Sequence, residues 1–370
     1  MELGKGSLED LEMNPGFWGK KSVFITGHTG FKGSWISLWL RRLGAEVTGY
    51  SLPPPTQPNL FSDSNLVKEM DSITGDVRDL PALESAVSKA RPEVLIHLAA
   101  QALVRTSYTD PLDTISTNVM GTANVLDVCR RTPSLRAALI VTTDKCYEDN
   151  PAKRPYAETA PLGGKDPYSA SKAAAEIVTA SYRNSYFNGT QFPKSPAIAT
   201  CRAGNIIGGG DWAQDRLIPD LVRAFQQKRP APIRNPHAVR PWQFVLDALR
   251  GYLILAEKAF TIGASFAESW NFGPSSEESS KPVGWMATEF GRHFDPPIQW
   301  QTDTAKHPHE AKTLELDSSK ARARLEWKTQ LTIPEILQWT AEWYRDSWTT
   351  RDAKTISEKQ IQRYEKLKNA

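Results

Sequence analysis

The sequence has few of the residues from which disulfide frameworks and metal centres are built. Its 370 residues include only six histidines and three cysteines, Cys129, Cys146 and Cys201. An odd number of cysteines without paired spacing predicts free thiols in a reducing compartment, so we expect a cytoplasmic protein. Because no Cys–His cluster has the spacing of metal ligands, the sequence predicts no metal site.

An excess of one charge and long apolar runs are also missing. The 45 basic and 42 acidic residues leave a net charge of +3, which is too balanced to favour nucleic acid or an anionic membrane as a partner. No uncharged apolar run reaches the roughly 18 residues of a membrane helix. Residues 1–13 lack the basic, apolar and small-residue order of a signal peptide. We therefore expect neither a nucleic-acid nor a membrane partner.

Short apolar runs and helical patterns alternate through the first half of the chain. Because strand and helix alternate, the sequence predicts an α/β fold, a Rossmann-type doubly wound parallel sheet with a smaller C-terminal substrate-binding domain. The runs that predict buried strands lie at 22–26, 46–50, 94–98 and 138–142, and the patterns that predict helices lie at 34–43, 80–89 and 118–130.

Three glycines follow the first predicted strand and open the first helix. The spacing of Gly27, Gly30 and Gly33 lets the backbone turn tightly and approach a pyrophosphate, to which the helix N-terminus offers free N–H groups. A glycine-rich turn without a ligand is the alternative, which the preceding strand and the later alternation disfavour. Residues 50–52 read Tyr-Ser-Leu, so the end of the second strand does not distinguish NAD from NADP.

Two further segments are candidates for cofactor contacts. Asp76, in the Gly-Asp-Val run that ends at Val77, can bond an adenine amine, although a helix-capping turn explains it equally well. The fourth strand ends in Leu98, Ala99 and Ala100, whose small side chains let a cofactor lie close.

We predict a dinucleotide-binding domain at 14–190 and a mainly substrate-binding domain at 191–350 that is partly interleaved with it. A polar tail follows at 351–370, and its charge predicts a solvated helix.

A tyrosine and a lysine form the strongest motif. Tyr168 and Lys172 are four residues apart, so on a helix they share one face. Tyrosine has a reference pKa of about 10, and a phenolate base near neutrality needs a nearby ammonium and a positively charged nicotinamide to stabilise it. Such pairs also occur by chance on exposed helices. The position of this pair, after a glycine-rich turn and the 138–142 strand, favours catalysis.

An acid and a base follow the 138–142 strand. Ligands of open parallel sheets bind beyond such strand ends, where Thr143 is a candidate to bond a sugar hydroxyl. An alcohol oxidation needs neither Asp144 nor Lys145. Elimination of water needs one group that takes a proton and one that gives a proton. A charged turn is the alternative, and Tyr168 and Lys172 argue against it.

Several short motifs resemble those of the sugar-nucleotide 4,6-dehydratases, in the extended short-chain dehydrogenase/reductase family. The resemblance covers roughly residues 14–345, and the Asp-Lys pair is similar to the branch that acts on CDP-glucose. The motifs are Phe31-Lys32-Gly33-Ser34-Trp35, Thr143-Asp144-Lys145-Cys146-Tyr147, Tyr168-Ser169-Ala170-Ser171-Lys172, Arg202-Ala203-Gly204-Asn205 and Arg240-Pro241-Trp242.

The resemblance implies a closed redox cycle with NAD as cofactor. Tyr168 takes the proton of the 4-hydroxyl, Lys145 removes the C5 proton, and Asp144 protonates the departing 6-hydroxyl. The product is CDP-4-dehydro-6-deoxyglucose, used in the synthesis of surface polysaccharide such as lipopolysaccharide.

The resemblance also implies a homo-oligomer, a dimer or tetramer formed through helices around 118–130 and 168–183, whose apolar positions are equally explained as core. Further implied cofactor contacts come from Phe31, Lys32, Asn118, Thr142, Tyr168 and Lys172.

The diphosphate of a nucleotide sugar calls for arginine and amide donors. Arg240 is the main candidate and Asn205 the second, with a salt bridge as the alternative for each arginine. The resemblance adds three arginines, and the segment after the fourth strand adds candidates to line the sugar pocket. These are Arg202, Arg216 and Arg234, and Gln101, Arg105 and Ser107, while His309 and Glu310 are candidates to close the site.

Two other functions remain open on the same scaffold. A sugar-nucleotide 4-epimerase shares Tyr168 and Lys172 but needs no proton handlers such as Asp144 and Lys145. A non-catalytic dinucleotide-binding protein is favoured where the tyrosine–lysine pair is broken, and here the pair is intact. The residues therefore favour a dehydratase, and the resemblance implies CDP-glucose as its substrate.

Overall fold

The computed structural model describes residues 14, 16–149, 154–188, 195–274, 280–305 and 314–367. Its strands are β1 (Ser22–Thr26), β2 (Glu46–Ser51), β3 (Asp71–Thr74), β4 (Val94–His97), β5 (Ala137–Val141), β6 (Ala197–Ala203), β7 (Asn205–Ile207), β8 (Ala231–Ile233), β9 (Val239–Phe244), β10 (Ser269–Phe272), β11 (Ser280–Pro282) and β12 (Trp300–Thr302). Its α-helices are α1 (Phe31–Arg42), α2 (Leu60–Asp63), α3 (Leu80–Ala90), α4 (Val104–Thr109), α5 (Pro111–Ile115), α6 (Gly121–Arg130), α7 (Pro167–Tyr186), α8 (Leu217–Gln226), α9 (Val245–Ile262), α10 (Val283–Gly291), α11 (Ser319–Leu325), α12 (Ile333–Thr350) and α13 (Ala353–Lys366).

Seven parallel strands form the central sheet, in the order β10-β6-β5-β4-β1-β2-β3. The chain runs outward from β1 through β2 and β3 and then returns to β4 on the other side of β1. Ligands of such sheets bind at this reversal, beyond the carboxyl ends of the strands. The predicted fold class is confirmed. The strands β11, β9 and β7 form a second sheet, and β12 pairs with β8.

The two faces of the central sheet carry separate apolar cores. Val23 and Ile25 of β1 belong to one core and Phe24 to the other, because successive side chains of a strand point to opposite faces. The helices α1 and α9 cover the first face, and α3 and α6 cover the second. Burial on both faces explains why these strands are continuous apolar runs in the sequence.

The first helix begins earlier than the sequence pattern predicts. It starts at Phe31 rather than at residue 34, with Gly30 as its extended N-cap. The apolar periodicity becomes visible only from Trp35, since the glycine-containing first turn contributes no apolar stripe. Gly44 ends the helix with a φ of +84°, as predicted. Likewise, a π-helical turn at Ser116–Met120 precedes α6, where the pattern predicts regular helix from residue 118.

The C-terminal segment forms the expected helix, but the expectation that it is solvated is wrong. Ile356, Ile361 and Tyr364 of α13 are buried, and the helix packs against α1 and α12. The Tyr364 hydroxyl donates a 2.6 Å hydrogen bond to Asp247 Oδ1, and Trp39 Nε1 donates to Glu365. The polar composition hides a narrow apolar stripe at helical spacing, which is enough to dock the helix.

Asp247 is expected to make folding stability depend on pH. Burial raises its pKa to about 6, while hydrogen bonds from Tyr364 and the Gln330 amide oppose the rise. The folded pKa lies above the unfolded value of about 3.9, so the stabilisation present at low pH is lost as the pH rises through about 6. Relative to Asp247→Asn, the wild-type protein should lose about 1 kcal/mol between pH 5 and pH 8, measured by urea unfolding. The exposed Asp346→Asn should show no such difference, and equal pH profiles for all three proteins would contradict the assignment.

Along the described part of the chain, every helix is too short or too polar to cross a membrane. The three cysteines are buried free thiols. No group of three or more His, Cys, Asp or Glu side chains within these residues is placed to hold a metal ion.

Candidate active site

A cleft of about 360 Å³ opens at the carboxyl ends of the central strands. One wall consists of the start of α1, the ends of β4 and β5 and the start of α7. The other wall consists of segments 203–221 and 231–242 from the second half of the chain. The cleft lies where the order of the strands reverses, as the fold predicts for a ligand.

Three glycines form a tight turn beside the cleft, at the start of α1. Gly27 has a φ of +77°, and a Cβ atom there would lie 2.6 Å from the backbone nitrogen of Ala99. A Cβ atom at Gly33 would lie 2.0 Å from the Gly27 carbonyl oxygen. Gly30 caps α1 without a side-chain hydrogen bond, so the first turn offers its N–H groups to a ligand. A cradle with no space for side chains beside a helix N-terminus fits a pyrophosphate.

Gly33→Ala is expected to weaken cofactor binding. The added methyl group displaces the Gly27 carbonyl and with it the turn before α1, so the dissociation constant for NAD should rise at least about tenfold, a free-energy loss of about 1.4 kcal/mol. Isothermal titration calorimetry with NAD measures the change. Gly19→Ala is the control, because its nearest neighbour lies at an ordinary 3.6 Å. Equal affinities for the two variants would show that the turn does not hold the cofactor.

Of the other predicted cofactor residues, some line the cleft and some do not. Asp76 is held by Arg78, whose hydrogen bonds lower the pKa of the carboxyl, and Val77 is buried against Gly121. Both lie on the β3 side of the fold, away from the residues that line the cleft. Those that line it are Phe31, Lys32, Leu98, Ala100, Thr142, Tyr168 and Lys172, and Ala99 adjoins Gly27 beneath them.

The polar groups of Asn118 and Thr142 are already engaged by the protein. Asn118, in the π-helical turn, donates to the Gln101 carbonyl (3.0 Å) and to Ser171 Oγ (2.8 Å) and accepts from the Gln101 amide. The Thr142 hydroxyl donates to Glu176. These side chains therefore hold the loop after β4 and the end of β5 in place, and their contact with the cofactor stays a prediction.

Tyr168 and Lys172 lie together at the centre of the cleft. Asp166 caps α7 by accepting from the Ser169 amide at 2.9 Å, which places Tyr168 in the first turn of the helix. Tyr168 is hydrogen-bonded to Thr143, and Lys172 Nζ donates to the Val141 carbonyl at 3.2 Å. Both side chains of the pair are thereby anchored to the end of β5.

Burial disfavours the charged forms of this pair. It raises the pKa of Tyr168 to about 12, against the opposing effect of the hydrogen bond between Tyr168 and Thr143. Burial and the nearby charge of Lys32 together lower the pKa of Lys172 to about 7. The pKa of Lys32 falls to about 8 through burial and the charge of Arg216. Because these cations repel one another, an anionic ligand or a phenolate beside them is stabilised.

The acid and base after β5 also face the cleft. Asp144 begins a 3₁₀ turn capped by Thr143, which donates to Asp144 Oδ1 at 3.1 Å. The carboxyl is buried, and its Oδ2 has no hydrogen-bond partner among the described residues. Lys145 is half-buried and lines the cleft beside it. The free oxygen of Asp144 is available to a hydroxyl group of a ligand.

Arginines from both halves of the chain surround the cleft. Arg105 and Arg234 bind the same carboxylate, Asp215, at 3.0 and 2.9 Å. Arg216 pairs with Asp211 at 3.0 Å, and Arg240 donates to the Val239 carbonyl. Asn205 lines the same wall. This set of donors fits a ligand that carries phosphate groups.

Three predicted substrate residues are not among those that line the cleft. Arg202, on β6, is 2% exposed, and its guanidinium pairs with Glu176 at 2.7 Å. Ser107 is fully buried and donates to the Val104 carbonyl inside α4. The Gln101 amide is turned into its own loop, where it bonds Leu103 and Thr114. His309 and Glu310 lie outside the described residues.

Sequence reasoning missed the carboxylates that organise these cations. Asp211 and Asp215 lie in the polar run between β7 and α8, and the arginines that follow in sequence were a signal for them. Glu176 follows Lys172 by four residues, and this spacing was the available signal that both lie on one helix face.

The doubly wound sheet, the glycine cradle and the tyrosine–lysine pair at the strand ends define a short-chain dehydrogenase/reductase. The chain belongs to the family described as GDP-mannose 4,6-dehydratase, whose model matches residues 24–340. Members of this family are NAD-dependent sugar-nucleotide 4,6-dehydratases, which are hydro-lyases. The resemblance found in the sequence motifs is confirmed.

A curated relative agrees with this assignment, and solved structures share the fold. The CDP-glucose 4,6-dehydratase of Salmonella typhimurium is 44% identical over 349 residues, which cover 94% of this chain and 97% of that protein. The structure of UDP-glucose 4-epimerase from Thermotoga maritima with UDP-glucose is 21% identical, with a TM-score of 0.75 over 88% of this chain and 99% of that one. The dTDP-glucose 4,6-dehydratase of Bacillus anthracis in complex with NAD is 20% identical, with a TM-score of 0.70 over 88% and 96%.

Proposed function

We propose that this enzyme converts CDP-glucose to CDP-4-dehydro-6-deoxyglucose and water, using NAD in a closed redox cycle. The observation that carries the proposal is that one cleft brings together an oxidising pair, Tyr168 and Lys172, and an eliminating pair, Asp144 and Lys145. An epimerase needs only the first pair. The 44% identity to the Salmonella CDP-glucose enzyme, over nearly the whole length of both chains, supports cytidine as the base.

The glycine cradle fits the proposed cofactor. Gly27, Gly30 and Gly33 would hold the pyrophosphate at the N-terminus of α1, and Lys172 would hold the nicotinamide ribose. Asp76 would lie toward the adenine, on the β3 side. When bound, NAD supplies the acceptor and later the donor of the hydride.

Tyr168 begins the reaction as a base. Its phenolate takes the proton of the 4-hydroxyl, which Thr143 orients by hydrogen bonding. The hydrogen bond with Thr143 and the charge of Arg216 oppose the rise in pKa that burial imposes on Tyr168. The ammonium of Lys172 beside the phenolate would stabilise it further. A substrate that fills the cleft would displace water, which strengthens these charge interactions.

Elimination then uses the pair that follows β5. The 4-ketone acidifies the hydrogen at C5, and Lys145 removes it. Asp144 gives a proton from Oδ2 to the departing 6-hydroxyl, so one water molecule leaves and a C5–C6 double bond forms. The return of hydride to C6 and of a proton to C5 completes the product.

The arginine wall binds the nucleotide part of the substrate. Arg216, Arg234 and Arg240, with the Asn205 amide, would hold the diphosphate, and Arg105 would close over the sugar. The division between domains at 14–190 and 191–350 places the first wall of the cleft in one domain and the second in the other. Strand β10 joins the central sheet from the later segment, in keeping with interleaved domains.

The test is incubation of the purified protein and NAD with CDP-, UDP- or dTDP-glucose, followed by mass spectrometry. The expected result is loss of one water mass from CDP-glucose alone. Conversion to the galactose epimer without loss of mass would assign an epimerase. Dehydration of another sugar nucleotide would show that the enzyme is specific for a base other than cytosine. No conversion of any substrate by a protein that binds NAD would overturn the proposed chemistry.

We further propose that the enzyme is a cytoplasmic homo-oligomer, a dimer or tetramer, in deoxysugar synthesis for surface polysaccharide such as lipopolysaccharide. The segment 111–120 and helix α7 expose apolar side chains side by side, which is the kind of surface that a second subunit buries. These side chains are Leu112 (78% exposed), Ile115 (45%), Met120 (55%) and Ile177 (57%).

Ile177→Asp is expected to separate the subunits. A charge in the centre of a buried apolar interface is left unpaired, so the dimer should dissociate at micromolar concentration. Size-exclusion chromatography with light scattering measures the mass. The control is Ile262→Asp, which introduces the same charge at a side chain that is 56% exposed at the end of α9. Equal masses for both variants would show that this face is not the interface.

A further inference from the structure

We propose that Glu176 is a positioning residue, which sets the helix that carries Tyr168 and Lys172 against the strand end that carries Asp144 and Lys145. The inference rests on the proposed function, because it concerns how the oxidising and eliminating groups are held relative to each other. Glu176 lies four residues after Lys172 and eight after Tyr168 on α7, so all three side chains share one face of the helix.

The carboxylate of Glu176 binds three neighbouring strands at once. It accepts hydrogen bonds from the Thr142 hydroxyl at the end of β5, from the Thr200 hydroxyl of β6 (2.7 Å) and from the Ser269 hydroxyl of β10 (3.3 Å). Arg202 Nη2 of β6 adds a fourth hydrogen bond at 2.7 Å. One side chain of the catalytic helix thus fixes the position of that helix over β5, β6 and β10.

The bond to Thr142 is the one that reaches the chemistry. Thr142 directly precedes Thr143, Asp144 and Lys145, so the hydroxyl of Thr142 connects the eliminating group to the helix of the oxidising group. Elsewhere in the cleft, the two groups meet through the hydrogen bond between Tyr168 and Thr143 and through the bond from Lys172 to the β5 backbone. Glu176 stabilises this arrangement through its hydrogen bonds to the neighbouring strands.

Glu176 forms a buried ion pair with Arg202. Burial opposes its ionisation, but Arg202 and the threonine hydroxyls hold the pKa of the carboxyl below its usual value. The side chains of the pair are 1% and 3% exposed. Arg202 also lies over the ring of Tyr147, with its Cζ 5.0 Å from the ring centroid, and donates to the Tyr147 hydroxyl at 2.8 Å. Tyr147 lines the cleft, so the network touches the site on two sides.

Stability alone does not account for such a network. A buried ion pair contributes little or nothing compared with apolar side chains of the same volume, since desolvation offsets the attraction. What the four directional hydrogen bonds add is a single position and rotamer for Glu176 over the strand ends. A displacement of about 1 Å between reacting groups is enough to slow a reaction about a hundredfold.

Thr142→Val and Thr200→Val form a matched pair that tests the proposal. Each removes one hydroxyl from the same carboxylate at nearly constant volume, but only Thr142 adjoins the eliminating residues. Thr142→Val should lower kcat at least about tenfold, with the KM for CDP-glucose and the dissociation constant for NAD changed less than about twofold. Thr200→Val should change kcat less than about threefold, at a similar loss in melting temperature.

Two further readouts separate positioning from mere structural support. In single-turnover experiments with Thr142→Val, reduced nicotinamide should form at the wild-type rate and persist longer, because elimination is the step that is misaligned. Thr142→Ser keeps the hydroxyl and should restore kcat. Equal kcat for the two valine variants, or failure of serine to restore it, would overturn the proposal.

The wild-type protein in the same assay tests the proposed function separately. If it dehydrates a sugar nucleotide other than CDP-glucose, the valine pair is compared on that substrate, and the positioning proposal is tested while the base assignment fails. If it epimerises without dehydration, there is no elimination step for Glu176 to align, and both proposals fail. An increased dissociation constant for NAD in Thr142→Val alone would assign Thr142 to the cofactor site and would also overturn the positioning role.

Discussion

Tyr168→Phe is expected to lower kcat by about a hundred- to ten-thousandfold, the range that a positioned acid–base group contributes. The change removes only the hydroxyl that takes the proton of the sugar. The ring remains buried, and Lys172 keeps its hydrogen bond to the Val141 carbonyl. The affinity for NAD and the melting temperature should therefore stay close to those of the wild type. The initial rate of product formation, with NAD and CDP-glucose both saturating, measures the effect.

Tyr186→Phe provides the control for this prediction. Tyr186 ends the same helix and is 45% exposed, so its hydroxyl can be removed without any effect on the cleft. The pH profile adds a second measurement. Because the pKa of Lys172 is lowered to about 7, kcat should depend on pH near neutrality. Bound substrate phosphates should shift this pKa upward. A Tyr168→Phe enzyme with more than a tenth of the wild-type kcat would assign the base elsewhere.

The fold was predictable because the information for it is local. The buried strands are apolar runs that glycines or prolines interrupt, and α1 ends at Gly44 as its sequence requires. The C-terminal helix was misjudged for the opposite reason. Its apolar stripe is a minority of a charged segment, and only the partner surface, which includes Trp39 and Asp247, shows that the stripe is buried.

The candidate site was predictable where sequence spacing fixes geometry. Tyr168 and Lys172 share a helix face, and Asp144 follows a parallel strand, so both groups had to reach the same end of the sheet. Arg202 illustrates what spacing cannot decide. It lies on a strand whose side chains alternate, and the side that it faces depends on Glu176, a residue 26 positions away in sequence.

The partners of the arginines were beyond prediction for the same reason. Arg105 and Arg234 meet at Asp215 although they come from different halves of the chain. Such a cluster exists only once the two halves fold against each other. A diphosphate that enters the cleft must share these arginines with Asp215, because the carboxylate of Asp215 already neutralises part of their positive charge.

Asp144→Asn and Lys145→Met are expected to stop the reaction halfway. Each removes one proton handler of the elimination and leaves Tyr168 and Lys172 unchanged, so oxidation at C4 proceeds while loss of water does not. The rate of dehydration should fall about a hundredfold or more in each variant. In a single turnover, reduced nicotinamide should accumulate in proportion to enzyme, and quenched samples should contain a 4-keto sugar of undiminished oxygen content by mass spectrometry.

The two variants should also differ from each other in an informative way. Lys145 is proposed to take the C5 proton, so Lys145→Met should prevent exchange of the C5 hydrogen with deuterated solvent, whereas Asp144→Asn should permit that exchange, because the ketone still acidifies C5 and the lysine is intact. Lys328→Met, which alters an exposed lysine remote from the cleft, is the control and should behave as the wild type. Exchange in both variants would move the base away from Lys145. Dehydration at the wild-type rate in both would reduce the pair to a charged turn and assign the elimination to other groups in the cleft.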